Sequence, residues 1–132
     1  MTIRRLASVL LALAISLPAV LAIGITVPRF YKLDFVPGFE MTEHFYTFNS
    51  HDTRMFVDVS LGNDLATYSN ASVATLDLVP LGVGEFDVHI KLPDSLPPGP
   101  HRVDITVKER PPTGGLMSAS TAATVYIQFM VP

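Results

Sequence analysis

The sequence predicts an all-β domain, a seven-stranded antiparallel sandwich behind an apolar N-terminal helix. Three observations support this prediction: no amphipathic helical period follows residue 25, alternating runs recur between turn residues, and residues 6–27 carry no charge. Alternation with a period of two is typical of half-buried strands. The 132 residues leave room for one such domain, and the 48% hydrophobic share excludes a disordered chain.

Residues 1–22 are predicted to form the N-terminal helix, which is either a signal peptide or a membrane anchor. Arg4 and Arg5 precede the apolar run, and "VLA" offers small residues for a cut after Ala22. An uncleaved segment is also long enough to cross a bilayer, which takes about 20 apolar residues. Both alternatives predict that residues 23–132 form a secreted or membrane-anchored sandwich outside the cytoplasm, because the basic residues stay inside.

The first four strands are expected where turn residues bound the runs 25–35, 40–49, 54–61 and 72–80. Pro28 lies within the first run and indicates an edge strand or a bulge. Pro37-Gly38 suits the centre of a type II turn between the first two strands. Residues 62–71 are polar and predict a crossing with one helical turn.

Three further strands are expected over residues 85–92, 101–109 and 117–131. The proline-rich stretches "LPDSLPPGPH" and "PPTGG" are interpreted as the loops that precede and follow the sixth strand. The side chains expected to face the core from the third, fifth, sixth and seventh strands are Met55, Val57, Val59, Leu61, Phe86, Val88, Ile90, Leu92, Val103, Ile105, Val107, Ala123, Val125, Ile127, Phe129 and Val131. Seven strands in a domain of about 100 residues indicate an immunoglobulin-like sandwich.

Three stretches carry a resemblance to a known group of proteins. They are "PGFE" before a strand that ends at Asn49, "LGVGEFDVHIKLPDSLPPGPHRVDITVKERP", and the closing "GLMSASTAATVYIQFMVP". Over residues 25–132 the chain resembles exported immunoglobulin-like accessory domains of prokaryotic, especially archaeal, cell-surface proteins. The resemblance implies an extracytoplasmic module and carries no catalytic residues.

No catalytic residue, metal or cofactor is predicted. The chain has no cysteine, which excludes thiolate metal and redox sites, and neither "GxSxG" nor a phosphate-binding loop occurs. Four histidines lack the close spacing of zinc ligands and are expected in turns or facing solvent; they are His44, His51, His89 and His101.

Two kinds of surface site are predicted. Seven of the twelve aromatic residues lie within residues 30–48, and neighbours in a strand must point to opposite faces. Tyr31, Phe45 and Tyr46 are therefore candidates for a binding face, with core packing as the alternative. Asn70 begins the sequon Asn-Ala-Ser and is a candidate for glycosylation.

These observations predict a non-catalytic structural or adhesive binding module of the cell surface, with other surface proteins or glycans as partners. All twelve acidic residues but only seven of the nine basic ones follow Ala22, so the sandwich carries a net charge of −5. This charge argues against nucleic acid as a partner, and the membrane is expected only at the N-terminal segment. The main alternative is an assembly subunit whose copies join by strand addition. A small enzyme or metal binder is a third alternative, whereas a two-domain pilus chaperone is excluded by length.

Overall fold

A computed structural model describes residues 23–110 and 121–132. Its elements are β1 (Ile23–Ile25), β2 (Lys32–Asp34), β3 (Glu40–Asn49), β4 (Met55–Gly62), the 3₁₀ helix η1 (Asp64–Tyr68), β5 (Ser69–Ala71), β6 (Thr75–Leu78), β7 (Val83–Lys91), β8 (Gly99–Glu109) and β9 (Ala122–Val131). A four-stranded sheet has the order β1-β3-β7-β5, and a five-stranded sheet has the order β2-β9-β8-β4-β6. The predicted all-β, two-sheet architecture is confirmed.

In the described residues, sixteen buried apolar side chains form one core; most come from the two sheets, Leu65 comes from η1, and Leu92 follows β7. The inward faces predicted for the fifth and sixth strands are confirmed, with Phe86, Val88, Val103 and Ile105 each at most 2% exposed. Burial of each such side chain contributes about 1.5–3 kcal/mol relative to exposure. Apolar packing therefore holds the described residues together without a disulfide.

The predicted first strand, residues 25–35, is wrong as one element. It divides into β1, which pairs antiparallel with β3, and β2, which pairs parallel with β9 in the other sheet. Pro28 lies between them and has no N–H to continue a ladder. The chain therefore changes sheets at the position where the sequence indicated an edge strand or a bulge, and both β1 and β2 lie at the edges of their sheets.

The number of strands is nine and not seven in the described residues. Two strands are therefore additional: one comes from the division of the first predicted strand, and the other is β5, which pairs with β7. Residues 62–71 were expected to cross without a strand, and their predicted helical turn is confirmed as η1. Three residues of β5 are too short a run to show alternation in the sequence.

The turn at Pro37-Gly38 has the predicted type II geometry. Phe39 N–H donates to Val36 O at 3.1 Å, and Gly38 has φ 69°. Residues 92–98 form the predicted proline-rich reversal and carry the chain from β7 in the four-stranded sheet to β8 in the five-stranded sheet.

Several predictions fall outside the described residues. They concern the apolar helix over residues 1–22, the loop "PPTGG", and residues 117–120 of the seventh predicted strand. Among the residues that are described, no helix has the length and apolar character needed to cross a membrane.

Candidate functional site

The strand β9 has a pairing partner along only part of one side. The side of β9 that faces β8 is paired along its whole length, from Lys108↔Ala122 to Gly99↔Val131. On the opposite side, β2 pairs only with Gln128, Phe129 and Met130. No other strand of residues 23–110 or 121–132 pairs there, and we call residues 122–127 the open half of β9.

The backbone groups that face this side belong to alternate residues of β9. Gln128 N–H donates to Tyr31 O at 2.7 Å, and Met130 O accepts from Phe35 N–H at 2.9 Å. Because alternate residues of an antiparallel strand point their amides to opposite sides, the groups of Thr124 and Tyr126 face the same way as those of Gln128. The open half therefore presents a short row of backbone donors and acceptors.

The segment that links β1 to β2 keeps β1 from covering this row. Thr26 N–H still donates to Tyr46 O at 2.9 Å, so the chain stays with the four-stranded sheet up to that residue. Pro28 then has no N–H, and Arg29 N–H turns to the Glu43 carboxylate at 2.8 Å. We call residues 26–31 the switch segment; it passes beside β9 without pairing before Tyr31.

A groove of about 260 Å³ lies between the switch segment and the open half of β9. Its lining is largely apolar and consists of Val27, Pro28, Tyr31, Thr124, Val125 and Tyr126. The rings of Tyr31 and Tyr126 meet edge to face with centroids 6.3 Å apart. Val27 is 73% exposed, so the groove has a large apolar side chain open to solvent at its rim.

The three predicted binding-face aromatics lie in three different places. Tyr31 is 48% exposed at the groove, and Tyr46 is 40% exposed on the outer face of the four-stranded sheet. The assignment of Phe45 to a binding face is wrong, because its side chain is fully buried and stacks on Phe86 at 5.4 Å. The expected opposite orientation of Phe45 and Tyr46 is confirmed.

Two of the histidines lie on the outer face of the four-stranded sheet and pair with acids. His44 Nδ1 lies 2.5 Å from Asp87 Oδ1, and His89 Nε2 lies 2.7 Å from Glu40 Oε1. The hydrogen bond to Asp87 raises the pKa of His44. In the described part of the chain, no three His, Asp or Glu side chains come together in a group that could hold a metal.

His101 departs from its predicted place in a turn or facing solvent. Its side chain is 12% exposed, with Nδ1 2.5 Å from Asp64 Oδ2 and Nε2 2.7 Å from Pro97 O. Because a carboxylate and a carbonyl oxygen both accept, the two bonds form together only when both ring nitrogens carry protons. The bond to Pro97 and then the bond to Asp64 raise the pKa of His101.

Asp64 joins η1 to the start of β8. Its Oδ1 accepts a hydrogen bond from the Arg102 N–H at 3.0 Å, and its Oδ2 is hydrogen-bonded to His101 Nδ1. Burial alone would raise the pKa of Asp64, but the bonds from Arg102 and His101 outweigh it and lower the pKa. The sequence offered no signal for this pair, since 37 residues separate the two side chains.

Asn70 lies on β5 with its side chain exposed, at the edge of the four-stranded sheet. Ser72 Oγ, the hydroxyl of the sequon, accepts the Asp87 N–H at 2.9 Å. The exposure is compatible with glycosylation of Asn70, which stays a prediction.

No protein-family model matches the chain, and no curated protein matches it. Solved structures do match at low identity. The E. coli chaperone DraB has 14% identity and a TM-score of 0.59 over 83% of this chain and 55% of its own. A structure of the Salmonella enterica SafA pilin in complex with the SafB chaperone has 11% identity and a TM-score of 0.58, over 83% and 54%. A PapD-like domain of human CEP192 has 16% identity and a TM-score of 0.54, over 89% and 91%.

These likenesses show an immunoglobulin-like, PapD-like fold. The chain spans about half the length of the chaperone chains that it matches. A family 123 glycoside hydrolase from Clostridium perfringens is matched over 27% of its chain with a TM-score of 0.56. Since one fold hosts many functions, these likenesses do not assign a function to the chain.

Proposed function

We propose that this chain is a non-catalytic binding module that lies outside the cytoplasm and joins a protein partner by strand addition to the open half of β9. One observation carries the proposal: the backbone groups of Thr124 and Tyr126 face an edge where no described strand pairs. This edge immediately precedes Gln128, the first residue of β9 that pairs with β2. In strand addition the main-chain hydrogen bonds supply affinity, and neighbouring pockets supply specificity.

The groove beside this edge supplies the specificity. A strand laid along residues 122–127 alternates its side chains, so that every second one can turn toward Val27, Tyr31 and Val125. An apolar side chain there would remove these residues from water. The partner's strand therefore carries an apolar residue at the position that meets the groove.

The location and the partner class rest on separate support. The basic and apolar features of residues 1–22 favour export, and the net charge of −5 disfavours nucleic acid. The solved complex of a pilin with a chaperone of this fold supports a protein as the partner. The finer proposals, an adhesive role at a prokaryotic and archaeal cell surface and glycosylation at Asn70, rest on the sequence alone.

A second copy of this chain is the alternative source of the added strand. The apolar, ten-residue β9 with one open half would suit such an assembly. Dependence of binding on the concentration of this chain alone distinguishes it from addition of a foreign strand.

The test selects extended peptides from a displayed random library of 12-residue sequences on the full chain. The chosen peptides are then offered to Thr124→Pro and to Thr75→Pro. Thr75 is a matched control, because it is exposed on β6, the opposite edge of the same sheet. Its hydroxyl bonds the Asp58 side chain, as the Thr124 hydroxyl bonds that of Thr106. We expect Thr124→Pro to lose binding at least about tenfold, since it removes an amide from the edge, and Thr75→Pro to keep it. Equal binding by both variants would reject the open half of β9 as the site.

A further inference from the structure

Four exposed apolar side chains lie near one end of the sandwich, the end at which β9 also begins. These four side chains, which we call the end patch, are Phe48, Val79, Leu81 and Val83, at 40%, 58%, 69% and 56% exposure. Phe48 and Val83 are directly paired across β3 and β7. Val79 and Leu81 lie in the turn that leads into β7.

The turn holds Leu81 in a conformation that disfavours a large side chain. Gly82 N–H donates to Val79 O at 2.9 Å, and Leu81 at the third position has φ 55°. This left-handed position usually carries glycine or asparagine. Leu81 N–H donates to His51 O at 2.8 Å, which fixes the turn against the neighbouring loop. A strained and exposed leucine does not serve the stability of the fold, so it indicates a role in contact with something else.

The chain enters the sandwich at this same end. Ile23, the first residue of β1, pairs with Asn49, and Asn49 N–H donates to Gly82 O at 2.9 Å. Asn49 Nδ2 also donates to Val79 O at 3.1 Å. The entry point of the chain is therefore joined by two hydrogen bonds to the turn that carries Leu81.

The length of the apolar run leaves no linker before β1. No charged residue occurs from Leu6 to Val27, and β1 begins at Ile23. A helix that crosses a bilayer uses about 17–25 residues, so residues 6–22 would be needed in full. A sandwich held by such a segment has its entry end against the bilayer.

Asp52 is exposed beside His51, whose carbonyl accepts from Leu81, so the contact can reach no deeper than the polar interface of a bilayer. Two other charged side chains near the turn form a pair. Arg54, in the loop before β4, forms a two-pronged ion pair with Asp77, two residues before Val79. The pair neutralises both charges, and the end patch itself contains no ionisable group.

We propose that residues 6–22 remain on the chain as an anchor and that the end patch rests in the interface of the same bilayer, with Leu81 as its deepest side chain. The occupant is the lipid surface, and the contact fixes how the sandwich stands on the membrane. In this orientation the tethered domain is held by two contacts, the anchor and the patch. This proposal does not depend on strand addition at β9.

The chain has no tryptophan, so one introduced indole reports on one position. Full-length Leu81→Trp is placed in phosphatidylcholine vesicles with or without bromine on the acyl chains. Val36→Trp is the matched control, because Val36 is 53% exposed in the turn before β3, at the opposite end of that strand. Interfacial apolar groups lie about 5–10 Å below the headgroup boundary, so we expect bromine to remove at least about half of the Leu81→Trp emission and to leave Val36→Trp unchanged.

Three results would overturn the proposal. The first is equal, weak quenching of both variants while the chain sediments with the vesicles and keeps its circular dichroism. The second is an intact mass that lacks residues 1–22. The third is a blue shift of Leu81→Trp that depends on protein concentration and not on bromine, which would assign the end patch to a second copy of the chain.

Discussion

The carbonyl oxygen of Tyr31 accepts the Gln128 N–H at 2.7 Å, and this bond marks the point where β9 gains its second neighbour. Before Gln128, the described residues place a groove beside β9 and no strand. Strand edges of this kind are templates for pairing with another chain, and proteins usually shorten or cover them. Among the described residues, Pro28 interrupts the switch segment beside this edge, because it has no N–H to continue a ladder.

The first prediction concerns the direction of the amides in the open half of β9. We expect Thr124→Pro to cost less than about 1 kcal/mol, because it removes an outward amide from an edge strand. Val125→Pro removes an amide that faces β8, and we expect it to cost about 3 kcal/mol or more. Urea unfolding of the two variants measures both costs, and equal costs would contradict the assigned alternation.

The second prediction tests the placement of the neighbours Phe45 and Tyr46. Phe45→Ala removes a fully buried ring from the core, so we expect it to lower the free energy of unfolding by about 3–5 kcal/mol. Tyr46→Ala removes a ring from the outer face, and we expect a loss below about 1 kcal/mol. Urea unfolding measures the losses of both variants. A larger loss for Tyr46→Ala than for Phe45→Ala would mean that β3 points Tyr46, and not Phe45, into the core.

The third prediction concerns pH and His101. Its folded pKa is raised above 6.5, so its contribution is complete below pH 6.5 and is lost as the pH rises through the folded pKa. The pKa of Asp64 is lowered below 3.8, so its contribution is present above pH 3.8 and is lost as the pH falls through its folded pKa. We expect His101→Ala to cost about 2 kcal/mol between pH 3.8 and 6.5 and less at higher pH.

Thermal unfolding across this pH range measures the effect of His101. The control is His101→Ala in the Asp64→Asn background, where the part of the pH dependence that comes from Asp64 should disappear and the part that comes from the Pro97 carbonyl should remain. A cost of His101→Ala that grows as the pH rises above 6.5 would contradict the assigned protonation of the ring.

The fourth prediction concerns the strained turn. Leu81→Gly relieves the left-handed conformation, and we expect the free energy of unfolding to rise by about 1 kcal/mol despite the loss of a side chain. Val83→Gly is the control, because Val83 is comparably exposed but lies in β7, where glycine is expected to cost about 0.5–1 kcal/mol. If Leu81→Gly destabilises the protein as much as Val83→Gly does, the turn is not strained.

The strands with clean alternation could be predicted from the sequence. From Phe86 to Ile90 in β7 and from Val103 to Val107 in β8, every second residue is a large apolar one, and these core residues follow directly from the sequence. In β3 the pattern fails, because Thr47 and Asn49 are buried while Tyr46 and Phe48 are 40% exposed. The buried polar groups are satisfied by partners distant in sequence, such as Gly24 O for Thr47 and Val79 O for Asn49.

The candidate site could be predicted only in its parts. The sequence indicated an apolar last strand, an edge strand or a bulge at Pro28, and an exposed aromatic near Tyr31. That the three meet depends on β2 pairing parallel with β9, a long-range pairing that no local pattern encodes. The bond between His101 and Asp64 also joins residues far apart in the sequence, so no local pattern predicts it.

The most direct measurement is amide hydrogen exchange along β9 in the dilute, full-length protein, before and after addition of a selected peptide. Strand addition predicts fast exchange at Thr124 and Tyr126 and slow exchange at Val125 and Ile127 in the free protein, with the first two becoming slow when the peptide binds. Slow exchange at all four residues in the dilute protein without peptide would show that the edge is already covered, and would contradict the proposed function.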